Sequence, residues 1–337
     1  MRGYGALLLT TALILLLLPL PSLGTAKPEE TPPASDAAPA AAPTAAKETT
    51  AAPADTAEGT EETFRVQSVA SGEVTELSER DFLIGTLAAE MYPTYHPEAL
   101  KAQAVAAYTY YGYERTHARA AGEEADFSDV PSTFPGLYTK EGMKARFGDK
   151  FDEYYEKLCA AVDAVTGQRI LYEGEPIMAV YHALSAEKTE TAGTIWGKDL
   201  PYLRAVDSPG DALSPSYESV VTVSVTDFAE KVKERGATLS GEAGEWIGEE
   251  VTRSPSGTVT AIKIGDTAFT GRQVREMFDL RSAVFTVVYR PESGFQFTVH
   301  GYGHGVGMSQ YGADCLARQG KTYREILEYY YTGVTVE

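Results

Sequence analysis

Residues 81–118, DFLIGTLAAEMYPTYHPEALKAQAVAAYTYYGYERTHA, constrain the fold more than any other stretch of the chain. Their composition predicts two helices, Asp81 to Met91 and Pro97 to Ala118. Tyr92-Pro93-Thr94 separates the two helices, because the residue before a proline is disfavoured in the helical conformation. Pro97 suits the first turn of the second helix, where its missing N–H costs nothing.

The residues that follow predict another helix and then a hairpin. Gly167 is placed to end this helix, and Arg169–Tyr172 and Pro176–Tyr181 are the expected strands of the hairpin. The apolar residues of the helix recur at helical spacing: Phe151, Tyr154, Tyr155, Leu158, Val162 and Val165.

The C-terminal third begins with alternating β-branched runs between residues 217 and 298. Short helices near Asp227–Arg235 and Gly271–Phe278 interrupt these runs, and helices at Ser309–Gln319 and Thr322–Thr332 close the chain. Strands and helices are grouped rather than alternating, which favours an α+β fold. We expect one folded unit of mixed helices and antiparallel strands at 63–337, with a β-rich insertion at about 217–298.

The N-terminal residues predict export from the cytoplasm. Arg2 precedes an uncharged run from Ala6 to Leu20, so residues 1–24 are expected to be a signal peptide or an uncleaved signal anchor. Residues 25–62 are rich in Ala, Pro and Thr and carry a net charge of −6, which predicts a disordered linker. The folded unit is therefore expected outside the cytoplasm, either held by a single membrane segment or secreted after cleavage.

Charge and cysteine content exclude some classes of protein. The formal net charge is −19, of which −14 falls on residues 63–337, so a nucleic-acid partner is disfavoured. Cys159 and Cys315 are too few for a disulfide framework. Both lie in apolar helical contexts, where a small buried side chain is the expected role, and a single bridge between them stays open.

Glu90 is the candidate general acid. Apart from Glu90 itself, no charged side chain lies between Asp81 and Glu98, and the helix that Glu90 ends is strongly apolar. A glutamate at a helix end is usually solvated, but burial without a basic partner would raise the pKa of this carboxyl. A carboxyl with a raised pKa can donate a proton near neutral pH.

The stretch HGYGHGVGMSQYG at 300–312 is rich in glycine, which indicates positive backbone φ angles or the close approach of another group. It contains no Lys or Arg and fits no phosphate-binding motif. His300 and His304 lack a third metal ligand at recognisable spacing. A packed turn and a functional site are both consistent with this composition.

A third patch, YHALSAEKTET at 181–191, precedes Trp196-Gly197 and combines hydroxyl groups with a nearby aromatic side chain. This composition suits a sugar-binding groove as well as an ordinary polar loop.

Taken together, the three patches resemble the stage II sporulation protein D family, over about residues 65–337. The matching segments occur in this order: AAEM at 88–91, EALKAQAVAA at 98–107, Ser185, KTE at 188–190, WG at 196–197, PYL at 201–203, FTGR at 269–272, LRS at 280–282 and GYGHGVGMSQYGA at 301–313. The last segment is the most specific of them.

The resemblance implies a membrane-anchored lytic transglycosylase of bacterial peptidoglycan. Such an enzyme cleaves the β-1,4 bond between N-acetylmuramic acid and N-acetylglucosamine and leaves a 1,6-anhydro end. Its expected substrate is a glycan strand stripped of peptides by a partner amidase, stage II sporulation protein P, during engulfment in sporulation. By the same resemblance Glu90 is the catalytic acid and base, and the glycan groove is formed by Gln103, Tyr108, Ser185, Thr189, Glu190, His304, Ser309 and Gln310.

The sequence departs from the family pattern at two places. Some members bind zinc in the segment after the second helix, but residues 126–137 contain neither Cys nor His, so we expect no metal and no cofactor. Many members have arginine where this chain has Tyr108, whose hydroxyl or ring is expected to contact sugar instead.

Two other functions compete with the transglycosylase. A non-catalytic glycan-binding module that enhances an amidase would share the groove but would not need Glu90. A zinc hydrolase using His300 and His304 would be sensitive to chelators.

Overall fold

The computed structural model describes residues 63–129 and 136–337. The predicted signal peptide or anchor at 1–24 and the predicted linker at 25–62 lie outside these residues. Within the described ranges, no helix combines the length and the apolar character that crossing a membrane requires.

The sequence located most of the helices well. Seven of the observed helices match predicted ones to within two residues at each end. The short helices α3 and α5 have no predicted counterpart. The helices of the described residues are α1 Glu79–Glu90, α2 Pro97–Ala120, α3 Lys140–Phe147, α4 Phe151–Asp163, α5 Ala192–Trp196, α6 Val225–Glu234, α7 Gly271–Phe278, α8 Gln310–Arg318 and α9 Tyr323–Tyr330.

The first two helices begin at clear capping residues. The Ser78 side chain accepts a hydrogen bond from the Asp81 N–H at the start of α1. His96 caps α2, with its Nδ1 atom accepting from the Glu98 N–H, and Pro97 occupies the first turn as predicted. These caps satisfy backbone donors that have no partner within the helix.

The strands pair mainly in antiparallel fashion, so the fold is α+β. The parallel pairs among the described strands are β1 with β3 and β6 with β13. The strands are β1 Thr63–Gln67, β2 Val74–Ser78, β3 Phe127–Ser128, β4 Ile170–Tyr172, β5 Glu175–Pro176, β6 Tyr181–His182, β7 Glu218–Val223, β8 Ile247–Arg253, β9 Val259–Ile264, β10 Thr267–Phe269, β11 Phe285–Arg290, β12 Gly294–His300, β13 Met308–Ser309 and β14 Thr335–Val336.

The predicted hairpin at 169–181 is only partly right. β4 and β5 pair across a tight turn, but β5 ends at Pro176, which has no N–H to donate to a ladder. Tyr181 was expected to end the second strand of the hairpin, yet with His182 it forms β6, which pairs with β13 from the glycine-rich stretch. This long-range pairing positions the candidate site.

The main hydrophobic core surrounds α1 and α2. Phe82, Leu87, Leu100 and Val105 are completely buried in it, and residues of α4, α8 and α9 belong to the same cluster. Glu90 and Gln103 lie on the two central helices, so the core encloses these polar side chains.

The segment from β7 to β12 has a hydrophobic core of its own. The Phe228 ring stacks on Phe295 with centroids 3.7 Å apart and on Phe278 at 4.9 Å. β12 lies between β11 and β7, and Glu218 at the start of β7 pairs with His300 at the end of β12. The chain therefore enters and leaves this segment at neighbouring points, as an insertion does.

Candidate active site

The carboxyl group of Glu90 lies in the interior of the molecule. α1 ends here because Met91 adopts an extended conformation, and the Glu90 side chain is 0% exposed. The Tyr181 hydroxyl donates to Glu90 Oε1 at 3.2 Å, and Gln310 Nε2 donates to Oε2 at 3.2 Å. Each carboxyl oxygen thus has a donor that fixes its orientation.

Gln103 connects α2 to the same group. Gln310 Nε2 also approaches Gln103 Oε1 at 3.4 Å, and both amides are buried. Gln103, Gln310, Tyr181 and Glu90 come from three helices and a strand, and we call them the Glu90 cluster. The sequence named all of these residues except Tyr181 as site residues; Tyr181 was quoted in the third patch without a role.

Strand geometry divides the candidate residues into two groups. Successive side chains of a strand point to opposite faces. On β6, Tyr181 contacts the Glu90 cluster, whereas His182 points the other way. On and just after β13, Gln310 contacts Glu90, whereas Ser309 contacts Asp211. The expected groove residues therefore lie on both faces of the β6–β13 pair.

A histidine and a serine are hydrogen-bonded on the second face. His182 Nε2 lies 2.7 Å from Ser185 Oγ, and His182 Nδ1 lies 3.1 Å from the Val306 carbonyl oxygen. A carbonyl can only accept, so Nδ1 carries the proton and Nε2 accepts from the Ser185 hydroxyl. Burial lowers the pKa of His182 to about 4, so the ring is neutral at physiological pH.

Asp211 joins this second group. Its carboxylate accepts from the Ser185 backbone N–H at 3.0 Å and from the Ser309 hydroxyl at 2.9 Å. Burial raises the pKa of Asp211 to about 7, against the lowering effect of the donating serines. The sequence did not single out Asp211 or the His182 ring, because their importance depends on contacts between distant segments.

The raised pKa of Asp211 predicts a specific pH dependence of stability. An acid whose pKa is higher in the folded state stabilises the fold below its unfolded pKa, and this contribution is lost as pH rises through the folded value. Relative to Asp211→Asn, the free energy of unfolding of the parent protein should fall by about 3 kcal/mol from pH 4 to pH 7. Urea denaturation across this range measures the difference, with exposed Asp152→Asn as control. A pH-independent difference would contradict the raised pKa.

The glycine-rich stretch at 300–312 passes through this region and contains His304, and four of its glycines adopt the left-handed backbone conformation. Burial drives the pKa of His304 well below its usual range, so its ring is neutral. His304 Nδ1 accepts from the Val306 N–H at 3.0 Å, and the ring lies 5.4 Å from Trp196 and 5.7 Å from His182. Positive φ angles occur at Gly301, Gly303, Gly305 and Gly307.

The two histidines considered as zinc ligands have different surroundings. His300 Nε2 lies 3.2 Å from Glu218 Oε2 at the edge of the insertion, whereas His304 packs against Trp196. Within residues 63–129 and 136–337, no three His, Cys, Asp or Glu side chains are grouped to hold a metal ion. Residues 130–135 of the segment in which some family members bind zinc lie outside this description.

Thr189 and Glu190 connect the main body to the insertion. Glu190 accepts hydrogen bonds from the Thr191 N–H and the Ser254 hydroxyl. The Ser256 hydroxyl donates to the Thr189 carbonyl at 2.7 Å. A pocket of about 20 Å³, the size of a water site, lies at this junction and is lined by Ser185, Glu190 and His304 among others.

Tyr108 lies apart from the Glu90 cluster. Its hydroxyl donates to Glu79 Oε2 at 2.8 Å and accepts from Arg169 Nη2 at 3.1 Å. Glu79 begins α1 and Glu90 ends it, which separates the two by roughly 16 Å along the helix. The structure therefore does not bring Tyr108 together with the other predicted residues.

The two cysteines are free thiols in the structure. The Cys315 Sγ atom lies 3.5 Å from the Gly210 carbonyl oxygen, and both cysteines are half-buried.

The chain is similar to several known proteins. The profile of the family described as stage II sporulation protein matches residues 67–172, which include Glu90 and Gln103. The chain is 36% identical to stage II sporulation protein D of Bacillus amyloliquefaciens over 76% of this chain and 73% of the relative. It is 32% identical to stage II sporulation protein D of Bacillus subtilis, over 84% and 81% of the two chains. A Bacillus subtilis protein named amidase enhancer is 26% identical over 75% of this chain and 40% of its own length.

Proposed function

This chain belongs to the stage II sporulation protein D (SpoIID) family, and on that premise we propose that it is a lytic transglycosylase of peptidoglycan. The proposal depends above all on one observation, a buried glutamate whose two carboxyl oxygens are each held by a neutral donor. The bond cleaved is the β-1,4 linkage from N-acetylmuramic acid to N-acetylglucosamine.

One carboxyl group is sufficient for this reaction. Glu90 gives its proton to the leaving O4 oxygen as the bond from C1 to O4 breaks. The 6-hydroxyl of the muramic acid then attacks C1, and the Glu90 carboxylate takes the hydroxyl proton. The C1–O6 bond closes the 1,6-anhydro ring, no water is consumed, and Glu90 returns to its starting state.

The neighbours of Glu90 suit both halves of the cycle. Burial disfavours the charged form of a carboxyl, so an acid in this position can hold the proton that the first step needs. The Tyr181 hydroxyl and the Gln310 amide stabilise the carboxylate that remains. Neither of these two donors carries a charge.

Access to Glu90 is a requirement of this proposal. The side chain has 0% exposed surface, so the groups that cover it must move aside when a glycan binds. Closure around the bound strand would then exclude water, which favours attack by the 6-hydroxyl over hydrolysis.

The remaining family features complete the proposal. Gln103, Ser185, Thr189, Glu190, His304, Ser309 and Gln310 contribute to the glycan groove, directly or by fixing its walls. In this proposal the N-terminal segment directs the protein out of the cytoplasm, either as a membrane anchor or as a signal peptide that is cleaved, and an amidase similar to stage II sporulation protein P supplies peptide-free strands during engulfment.

A second candidate function is a non-catalytic module that binds glycan and enhances an amidase. The relative named amidase enhancer favours this alternative, as does the complete burial of Glu90. Such a module would bind strands without changing their length.

Incubation of the purified protein with peptide-free glycan strands distinguishes the two functions. The transglycosylase should release fragments ending in 1,6-anhydro-muramic acid, each lighter by one water than the product of hydrolysis, as mass spectrometry would show. Folded protein that binds the strands and leaves them intact would support the binding module instead.

A further inference from the structure

One buried carboxyl group, that of Asp211, contacts both segments that carry the donors of Glu90. Asp211 lies in a 3₁₀ turn at Pro209–Leu213 and is 0% exposed. Its Oδ2 atom accepts from the N–H of Ser185, which follows β6, and its Oδ1 atom accepts from the hydroxyl of Ser309, which ends β13. Each oxygen therefore holds a segment at a different strand of the β6–β13 pair.

The contact at Ser309 leads to Gln310. The Ser309 hydroxyl donates to Asp211 and accepts from the Gly312 N–H at 3.2 Å, so the same side chain caps the start of α8. Gln310 is the first residue of α8, and its amide donates to Glu90 Oε2. Fixing the Ser309 side chain therefore fixes the backbone from which the Gln310 side chain reaches Glu90.

The contact at Ser185 leads to Tyr181 in the same way. The Ser185 hydroxyl donates to His182 Nε2, and His182 directly follows Tyr181 on β6. The Tyr181 hydroxyl donates to Glu90 Oε1. Ser185 thus binds Asp211 through its backbone and β6 through its side chain. Fixing His182 therefore fixes the strand backbone that carries Tyr181.

The turn that carries Asp211 packs tightly against α8. Gly312 and Cys315 are spaced at i and i+3, so they lie on one face of this helix. A Cβ added at Gly210 would overlap the Cys315 side chain, and a Cβ added at Gly312 would overlap the Ser208 hydroxyl. This close packing leaves the Asp211 carboxyl little freedom to move.

We propose that Asp211 is a positioning residue, which keeps the donors from β6 and α8 aligned on the two oxygens of Glu90. Its own two oxygens bind the two segments whose neighbouring side chains bind the Glu90 carboxyl. Asp211 is buried on the second face of the β6–β13 pair, so it acts through these segments and not by contact with the glycan. The assignment depends on the proposed function for the reaction that Glu90 performs.

A carboxylate suits this role because both of its partners are donors. Each carboxylate oxygen accepts hydrogen bonds, whereas asparagine keeps one acceptor oxygen and alanine keeps none. Hydrogen bonds to an ionised group are also stronger than those between neutral groups. The series from aspartate through asparagine to alanine at position 211 therefore removes the two contacts stepwise.

The kinetics of glycan cleavage test the assignment through the proposed reaction. Asp211→Ala should lower kcat about thirtyfold and Asp211→Asn about threefold, with KM within about twofold, because Glu90 loses its alignment and the groove keeps its shape. Once Tyr181→Phe and Gln310→Ala have removed both donors, adding Asp211→Ala should lower kcat by no more than about twofold. An unchanged kcat in Asp211→Ala would overturn the assignment, as would the full loss in the background without donors.

Hydrogen exchange measured by mass spectrometry tests the same contacts without cleavage. In Asp211→Ala, peptides covering 181–185 and 308–312 should exchange at least about tenfold faster, while peptides of β11 and β12 keep parental rates. The experiment is run at pH 8, where Asp211 is ionised because its pKa is about 7. Faster exchange across the whole chain would indicate a general structural role and overturn the assignment, as would parental rates in both peptides.

Asp211→Asn keeps the shape of the side chain and decides the question if the alanine variant does not fold. It should show the same local pattern of exchange with a smaller increase. Absence of cleavage by the parent protein would refute the proposed function, and the exchange rates alone would then decide whether Asp211 aligns the donors of Glu90.

The matched control is Asp126→Asn. Asp126 is also a buried carboxylate that accepts from a backbone N–H, that of Arg65 at 2.9 Å. It pairs with Arg119 on α2, roughly 24 Å along the helix from Gln103. This variant should keep kcat within about twofold and parental exchange at β6 and β13. A loss of kcat equal to that of Asp211→Asn or greater would attribute both effects to general destabilisation and overturn the assignment.

Discussion

Glu90→Gln is expected to lower the rate of glycan cleavage by about three orders of magnitude, because it removes the proton donor and keeps the shape of the side chain. Glutamine can still accept from Tyr181 or Gln310, so the folded structure should persist. The rate of release of anhydro ends from peptide-free strands, with circular dichroism of the same samples, measures both effects.

The control for this variant is Glu153→Gln, which makes the same chemical change at an exposed position on α4. It should retain full activity. If Glu90→Gln cleaved strands at the parental rate, Glu90 would not be the acid and the transglycosylase mechanism given above would be wrong. If the variant lost strand binding together with cleavage, Glu90 would be a structural residue of the groove.

Gly307→Ala is expected to destabilise the protein by about 3 kcal/mol or more and to abolish cleavage. Gly307 has φ +74°, and a Cβ at this position would overlap the Val180 carbonyl oxygen. Gly307 directly precedes β13, and Val180 directly precedes β6. Separating them would displace Gln310 and Tyr181, which hold the Glu90 carboxyl.

Gly305→Ala is the matched comparison for this substitution. Gly305 also has a positive φ, +81°, but its added Cβ would make only an ordinary contact, 3.6 Å from Glu190 Cβ. We expect a cost of about 1 kcal/mol from backbone strain alone, with activity largely kept. Chemical denaturation of both variants gives the two costs. Equal costs would show that close approach to Val180 does not explain the glycine at 307.

Local signals were sufficient to place most of the secondary structure. Helical periodicity, a proline at the first turn of α2 and the Thr322–Glu325 capping box each depend on residues a few positions apart. The predicted boundaries of the matched helices are therefore close to the observed ones. The hairpin at 169–181 was extended too far, because no local pattern shows that β6 pairs with a strand near the C-terminus.

The candidate site was only partly accessible to the same reasoning. Glu90 stood out because an isolated acid in an apolar helix must be buried, and it is 0% exposed. Gln103 and Gln310 were assigned by resemblance, and they do meet at Glu90. Tyr108 was assigned in the same way, yet it contacts Glu79 at the far end of α1.

By itself the sequence determined the α+β class, most of the helices and the burial of Glu90, because these follow from spacing and composition within short segments. Only the tertiary structure decided which residues surround Glu90 and which form the separate group of His182, Ser185 and Asp211. The physical reason is the pairing of β6 with β13. Successive side chains along each strand point to opposite faces, and the register of the pair decides which residues share a face. That register depends on contacts between segments far apart in the chain.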